Sequence, residues 1–126
     1  MELGHARIAL PSARRAIENR VPLDCTYDGH QREICPVILG QSGGDAVALV
    51  YQTGGETSRG PLGAPEWKCF RLTKLSGGEP SARPWQAGAS HRQAQSCVRI
   101  VDYDANEASP YSPLRSLGPL RGGSLE

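Results

Sequence analysis

The stretch CTYDGHQREIC places a histidine midway between two cysteines, in the order Cys25, His30 and Cys35. Thiolate and imidazole groups are common ligands of zinc, and two cysteines can also close a disulfide. The strongest zinc signals are close pairs such as C-x2-C, and this chain contains none. Three interpretations have to be separated: a metal site, a disulfide-closed loop, and an ordinary hairpin that contains cysteines.

The turn inside this stretch separates the three interpretations. Asp28-Gly29 between two strand-like runs is a strong signal for a two-residue hairpin turn, and it pairs Cys25 with Arg32. Because side chains alternate across a sheet, Cys25 then faces one side and Cys35 faces the other. The two cysteines can neither share one metal nor form an unstrained disulfide with each other. We therefore predict no metal site here and a core position for Cys25.

Arg71 is the residue whose setting best suits ligand binding. It lies between Phe70 and Leu72, which alternation directs into the core, so Arg71 projects to the other side. A guanidinium held on a strand can make two charge-assisted hydrogen bonds to a phosphate or a carboxylate. The alternative is a surface arginine paired with a neighbouring carboxylate, and the spacing alone favours that alternative.

Four further residues could belong to the same site. Arg32 and Lys74 would add positive charge, but their faces relative to Arg71 depend on a strand register that the sequence does not define. Tyr51 and Trp67 could line a groove for a base or another planar group. Packing is the commoner role of half-buried aromatic residues; we expect it for Tyr51, and the role of Trp67 stays open.

Charge and composition narrow the class of protein. The chain has 126 residues and a formal net charge of +1, which is too balanced for a dedicated nucleic-acid binder. Its three histidines lie in different predicted elements and no G-x-S-x-G motif occurs, so we expect no catalytic residue and no cofactor. No apolar run is long enough for a transmembrane helix. Four cysteines are too few for a disulfide scaffold, which favours a reducing, cytoplasmic setting.

The elements that would position these residues are mainly strands, since fifteen glycines and ten prolines indicate many turns and little helix. A short helix is expected over SARRAIEN, residues 12–19, and Pro11 argues against a continuous helix before it. The predicted strands are Val21 to Tyr27, His30 to Val37, Asp45 to Gln52, Trp67 to Leu75 and Ser96 to Tyr103. This order predicts one domain over residues 1–108, built on a strongly bent antiparallel sheet or a partly open barrel, and a loosely ordered tail over residues 109–126.

The order of these motifs resembles the WYL domain family of bacteria. The helix and hairpin match the family's first elements, AVALVY at residues 46–51 occupies the place of its Trp-Tyr-Leu strand, and CFRLTKLS at residues 69–76 matches its last strand. The motifs YQTGG and EWKCF resemble small standalone WYL-like proteins. The likeness extends over roughly residues 13–76, a little over half of the chain.

The resemblance implies an SH3-like or Sm-like β-barrel with a regulatory role, and it assigns Arg71 to the proposed ligand site. Members of the family are associated with nucleotides, nucleic acid and other negatively charged effectors. The leading expectation is therefore a non-catalytic module that recognises an anionic small molecule. Two alternatives stay open: a nucleic-acid-binding module, and an adaptor that pairs with a protein partner or with itself through a sheet edge. The oligomeric state is not predicted.

Overall fold

The computed structural model of this chain describes residues 2–86 and 97–105. Its elements in chain order are helix α1 (Glu2–Asn19), strands β1 (Leu23–Tyr27), β2 (His30–Ser42), β3 (Asp45–Thr57), β4 (Gly60–Pro61) and β5 (Glu66–Arg71), a 3-10 helix (Leu72–Lys74), and strands β6 (Leu75–Pro80) and β7 (Ile100–Asp104). The strands form a strongly curled antiparallel half-barrel. This confirms the predicted fold class, while the predicted tail lies outside the described residues.

Helix α1 is longer than predicted, because it continues through Pro11. A proline inside a helix removes one main-chain hydrogen bond and usually bends the helix without always ending it. After Pro11 the helix packs into the core through three residues that are each 1% exposed, as their spacing predicts: Ala13, Ala16 and Ile17. No helix in the described ranges is both long and apolar enough to cross a membrane.

The curl of the sheet comes from the two longest strands, β2 and β3, which change partners along their length. The first part of β2 pairs with β1 and its last part with β7, while β3 pairs first with β5 and then with β4. The register between β2 and β3 shifts twice, between Glu33 and Ile34 and again between Pro36 and Ile38. Such bulges increase the local bend and twist of a sheet. Strand β6 then adds to the free side of β1.

The hairpin between β1 and β2 has the predicted register, with Cys25 opposite Arg32. Asp28 and Gly29 have φ values of 52° and 83°, the positive angles that a type I′ turn requires. Cys25 is 3% exposed and Cys35 is fully buried, and both thiols are free. The predictions that Cys25 is a core residue and that the two cysteines do not bond to each other are confirmed.

The predicted strand from Trp67 to Leu75 is interrupted by the 3-10 helix, so that β5 ends at Arg71 and β6 begins at Leu75. Residues three apart lie on the same side of a 3-10 turn, which lets both Leu72 and Leu75 enter the core at 0% and 1% exposure. A continuous strand would place these two leucines on opposite faces. Core packing therefore explains the break.

Candidate functional site

Arg71 is the last residue of β5 and its side chain is exposed, whereas Phe70 and Leu72 on either side are buried, as predicted. Its main-chain N–H donates a hydrogen bond of 2.9 Å to the hydroxyl oxygen of Tyr27. The 3-10 turn then brings the exposed Lys74 back toward the side of Arg71. Neither cationic side chain has a hydrogen bond or an ion pair within the described residues.

Tyr51 and Trp67 form an aromatic pair on the ladder between β3 and β5. They are directly opposed, with ring centroids 5.0 Å apart and planes tilted by 52°. Trp67 and Arg71 are four residues apart in one strand, so both side chains face the same side of the sheet, about 13 Å apart along it. We call the surface formed by Tyr51, Trp67 and Arg71 the Arg71 face.

A disulfide between Cys69 and Cys97 lies in the centre of the Arg71 face, because Cys69 is two residues from both Trp67 and Arg71. The two Cα atoms are 5.5 Å apart and the bond joins residues separated by 28 positions. The sequence does not predict this bond. The low number of cysteines predicts a reducing, cytoplasmic setting, but disulfides are rare in reducing compartments. The cytoplasmic setting therefore stays a prediction.

Arg32 lies apart from the Arg71 face, on the opposite side of the sheet, where it is only 5% exposed. One guanidinium nitrogen, Nη1, donates to Gln52 Oε1 at 3.2 Å, and the other, Nη2, donates to the main-chain oxygen of Tyr27 at 3.4 Å. Its central carbon lies 5.3 Å from the ring centroid of Tyr27 and 5.4 Å from that of Phe70. Arg32 therefore supports the interior of the barrel and cannot add its charge to the Arg71 face.

The residue that holds Arg32 in place is Gln52, which sequence reasoning did not single out. Its side chain is fully buried, and Nε2 donates to the main-chain oxygens of Gly54 and Glu56 at 3.0 Å each. These bonds fasten the bulge of β3, where Gly55 has a φ of 90°. A glutamine at a core-facing position, one residue removed from a pair of glycines, is the sequence signal for this network.

The two free thiols are poorly suited to metal binding or to nucleophilic chemistry. Burial raises the pKa of Cys25 to about 12, with the nearby Arg32 opposing the rise only partly. Burial also raises the pKa of Cys35, although a hydrogen bond from the main-chain N–H of Gln86 lowers it somewhat. Both groups are therefore protonated at neutral pH, whereas metals bind the thiolate. Within residues 2–86 and 97–105, no three His, Cys, Asp or Glu residues are grouped so that they could hold a metal ion.

A separate cleft of about 130 Å³ lies between α1 and strands β1 and β6. Its floor is apolar, with Ala16 and Leu23, and Arg15 and Asn19 stand at its rim. Sites for small ligands usually measure about 300–1,000 Å³, so this cleft is too small for a nucleotide-sized molecule. None of the five predicted site residues lines it.

Four of the five predicted residues therefore lie on or beside the Arg71 face, and Arg32 does not. Comparisons with protein-family models, with curated proteins and with solved structures find no match to this chain. The resemblance to the WYL family and the ligand-binding role of Arg71 stay predictions.

Proposed function

We propose that this chain is a small non-catalytic module that binds an anionic ligand on the Arg71 face. The observation that carries the proposal is the pair of exposed cations, Arg71 and Lys74, which lie three residues apart at the end of β5 without a carboxylate partner in the described part of the chain. A bound anion would be attracted by both positive charges.

Three other cations in the described part of the chain are paired with carboxylates, whereas Arg71 and Lys74 are not, a feature that they share with exposed residues such as Arg59. The described ion pairs are Arg14 with Glu18 at 3.0 Å, Lys68 with Glu66 at 3.7 Å, and Arg83 with Glu33. Because most surface arginines gain little from such pairs, lack of pairing alone would be weak support. Arg71 differs because its backbone is also anchored, through the Tyr27 hydroxyl, and a guanidinium on a fixed strand loses less entropy when it binds.

The shape of the face suggests the class of ligand. An aromatic pair at one end and two cations at the other suit a molecule with a planar group and a phosphate or carboxylate, such as a nucleotide. Both half-buried rings offer a surface for stacking, and the roughly 13 Å between Trp67 and Arg71 leaves room for a sugar between base and phosphate. The proposal also includes a regulatory role, membership of the WYL family and a cytoplasmic location.

The direct test compares ADP with adenosine by isothermal titration calorimetry. ADP should bind more tightly, because only ADP carries phosphates for Arg71 and Lys74. Arg71→Ala should lower the affinity for ADP by about 10-fold or more, the usual effect of losing a hydrogen bond to a charged group, and should leave the weak binding of adenosine unchanged. Arg59→Ala is the matched control, since Arg59 is an exposed arginine in the turn between β3 and β4, away from this face.

Two outcomes would contradict the proposal. Equal affinities for ADP and adenosine would show that the cations do not recognise the anion, and an equal effect of the Arg71→Ala and Arg59→Ala substitutions would show only a general effect of charge. A single-stranded oligothymidylate in the same assay addresses the nucleic-acid alternative. If the oligonucleotide binds more tightly than ADP and its affinity falls steeply with salt, the module is a nucleic-acid binder instead.

A further inference from the structure

The disulfide in the middle of the Arg71 face differs from a buried structural crosslink. Cys69 is exposed, and it lies on β5, which within the described residues pairs with β3 alone. Thiol–disulfide exchange requires a thiolate to reach a sulfur of the bond, so access decides the rate. The position of Cys69 gives an external thiol that access without opening of the sheet.

The two cysteines are held near each other by contacts that do not depend on their bond. Cys69 is fixed by the ladder between β5 and β3. Next to Cys97, Val98 is 2% exposed and the main-chain N–H of Arg99 donates to the oxygen of Gln41 at 3.0 Å. After reduction these contacts keep the thiols close, and the bond can form again.

The surroundings also favour exchange at these two cysteines only. Arg71 shares a face with Cys69, two residues along the strand, and a guanidinium there stabilises the thiolate that leaves or attacks. The other two cysteines are withdrawn from exchange, since Cys25 and Cys35 are buried and burial raises the pKa of both thiols. Disulfide scrambling is therefore suppressed in the folded protein.

We propose that the Cys69–Cys97 disulfide is a reversible redox switch, which a dithiol reductant opens and which controls access to the centre of the Arg71 face. While the bond is closed, Cys97 is joined to Cys69 between Trp67 and Arg71, so a ligand that reaches from one to the other must cross the bond. Opening lets the Cys97 side chain turn away from β5, while the contacts of Val98 and Arg99 keep its backbone in place. The control of access rests on the proposed function of this face; the exchange reaction does not.

The reaction is a two-step exchange. A thiolate of the dithiol attacks the sulfur of Cys69, forming a mixed disulfide while Cys97 leaves as a thiolate. The second thiol of the reductant, as its thiolate, then attacks the reductant's own sulfur in the mixed disulfide and displaces Cys69. The reductant ends as a cyclic disulfide and both cysteines end as thiols, so two electrons and two protons pass from the dithiol to the protein.

The first experiment counts thiols in the native, full-length protein before and after treatment with dithiothreitol. No thiol should react with a thiol-specific reagent in the oxidised form, and two should react after treatment and removal of the reductant. Circular dichroism should show the fold unchanged, and air oxidation should return the count to zero. Reduction only in denaturant, or loss of cooperative unfolding on reduction, would show a structural crosslink and overturn the proposal.

The second experiment measures ADP binding to the oxidised and the reduced forms. The reduced form should bind ADP about 5-fold more tightly or better, the lower end of usual coupling between a switch and a ligand. The Cys69→Ser/Cys97→Ser double variant should match the reduced form, and a Cys25→Ala/Cys35→Ala variant should still switch. Equal affinities of the two redox forms would overturn the switch. Failure of both forms to bind ADP would overturn the proposed function and the control of access. The reversible thiol–disulfide exchange would then be tested by the thiol count of the first experiment alone.

Discussion

Replacing the fully buried Gln52 by leucine should destabilise the protein although the two side chains are similar in size. The substitution removes the acceptor of Arg32 Nη1 and the donor to the main-chain oxygens of Gly54 and Glu56. The buried Nη1 of Arg32 then loses its acceptor, and the two main-chain oxygens, which are only partly buried, lose their donor. The guanidinium suffers most, because it is 5% exposed and forms no ion pair among the described residues.

The size of the effect follows from the three bonds. Each neutral hydrogen bond contributes about 1 kcal/mol, and the bond to a charged donor contributes about 1.5–3 kcal/mol. The leucine side chain regains part of this by apolar burial, so the free energy of unfolding should fall by about 3 kcal/mol. For a folded domain of this size the midpoint of thermal unfolding should fall by about 10 °C.

Urea unfolding followed by circular dichroism measures the change, and a double-mutant cycle assigns it. Arg32→Met removes the buried charge but keeps a long apolar side chain, and the Gln52→Leu/Arg32→Met double variant should cost less than the sum of the two single changes by about 1 kcal/mol or more. Gln31→Leu is the matched control, because Gln31 is an exposed glutamine on the same strand as Arg32 and should change stability by less than about 0.5 kcal/mol. A cost of Gln52→Leu below about 1 kcal/mol, or strict additivity with Arg32→Met, would refute the network.

Two further predictions concern the backbone and the thiols. Gly55→Ala should destabilise the fold by about 2–4 kcal/mol, because the added Cβ would lie 2.8 Å from the Cα of Arg32 and closer still to the main-chain oxygen of Gln31. Gly60→Ala is the control: Gly60 also has a positive φ, but its added Cβ would meet no atom within 4 Å, so this change should cost only about 1–2 kcal/mol. Equal losses of stability in urea unfolding would contradict the close approach at Gly55. Burial raises the pKa of Cys25 from 9.0 to about 12, so the native state keeps a proton that the unfolded chain releases, and the free energy of unfolding should fall as the pH rises from 9 toward 12. In the Cys25→Ala variant the free energy of unfolding should fall less steeply over this pH range. An unchanged pH dependence in that variant would contradict the role of Cys25.

Local chemistry explains the parts of the fold that the sequence predicts correctly. Asp28-Gly29 defines both the turn type and the pairing of the flanking residues, so the register of the first hairpin follows from two residues. Alternation around Arg71 likewise predicts its exposure. Strand β6, by contrast, has the sequence LSGGEP, and its glycines and proline disfavour a strand. Strand β6 forms because it pairs with β1 and because Leu75 is buried in the core. Both are tertiary contacts, which local propensity cannot predict.

The candidate site was harder to predict because it depends on register between strands far apart in the chain. Arg32 and Arg71 belong to strands that do not pair with each other, and the bulges of β2 and β3 lie between them. A shift of one residue in either strand would exchange the faces. The disulfide depends in the same way on how the chain before β7 approaches β5, so the pattern of four cysteines could not reveal it.

The two arginines show how the same residue type can have two roles in one sheet. Arg32 lies among neutral oxygens and against the faces of two aromatic rings, which contact its two terminal nitrogens and its central carbon, while its buried Nε has no hydrogen-bond partner among the described residues. Arg71 is connected to the same interior only through its backbone, by the hydroxyl of Tyr27, and its charge remains directed to the solvent. Tyr27 thus contacts both residues, so the packing around Arg32 also supports the strand end that carries Arg71.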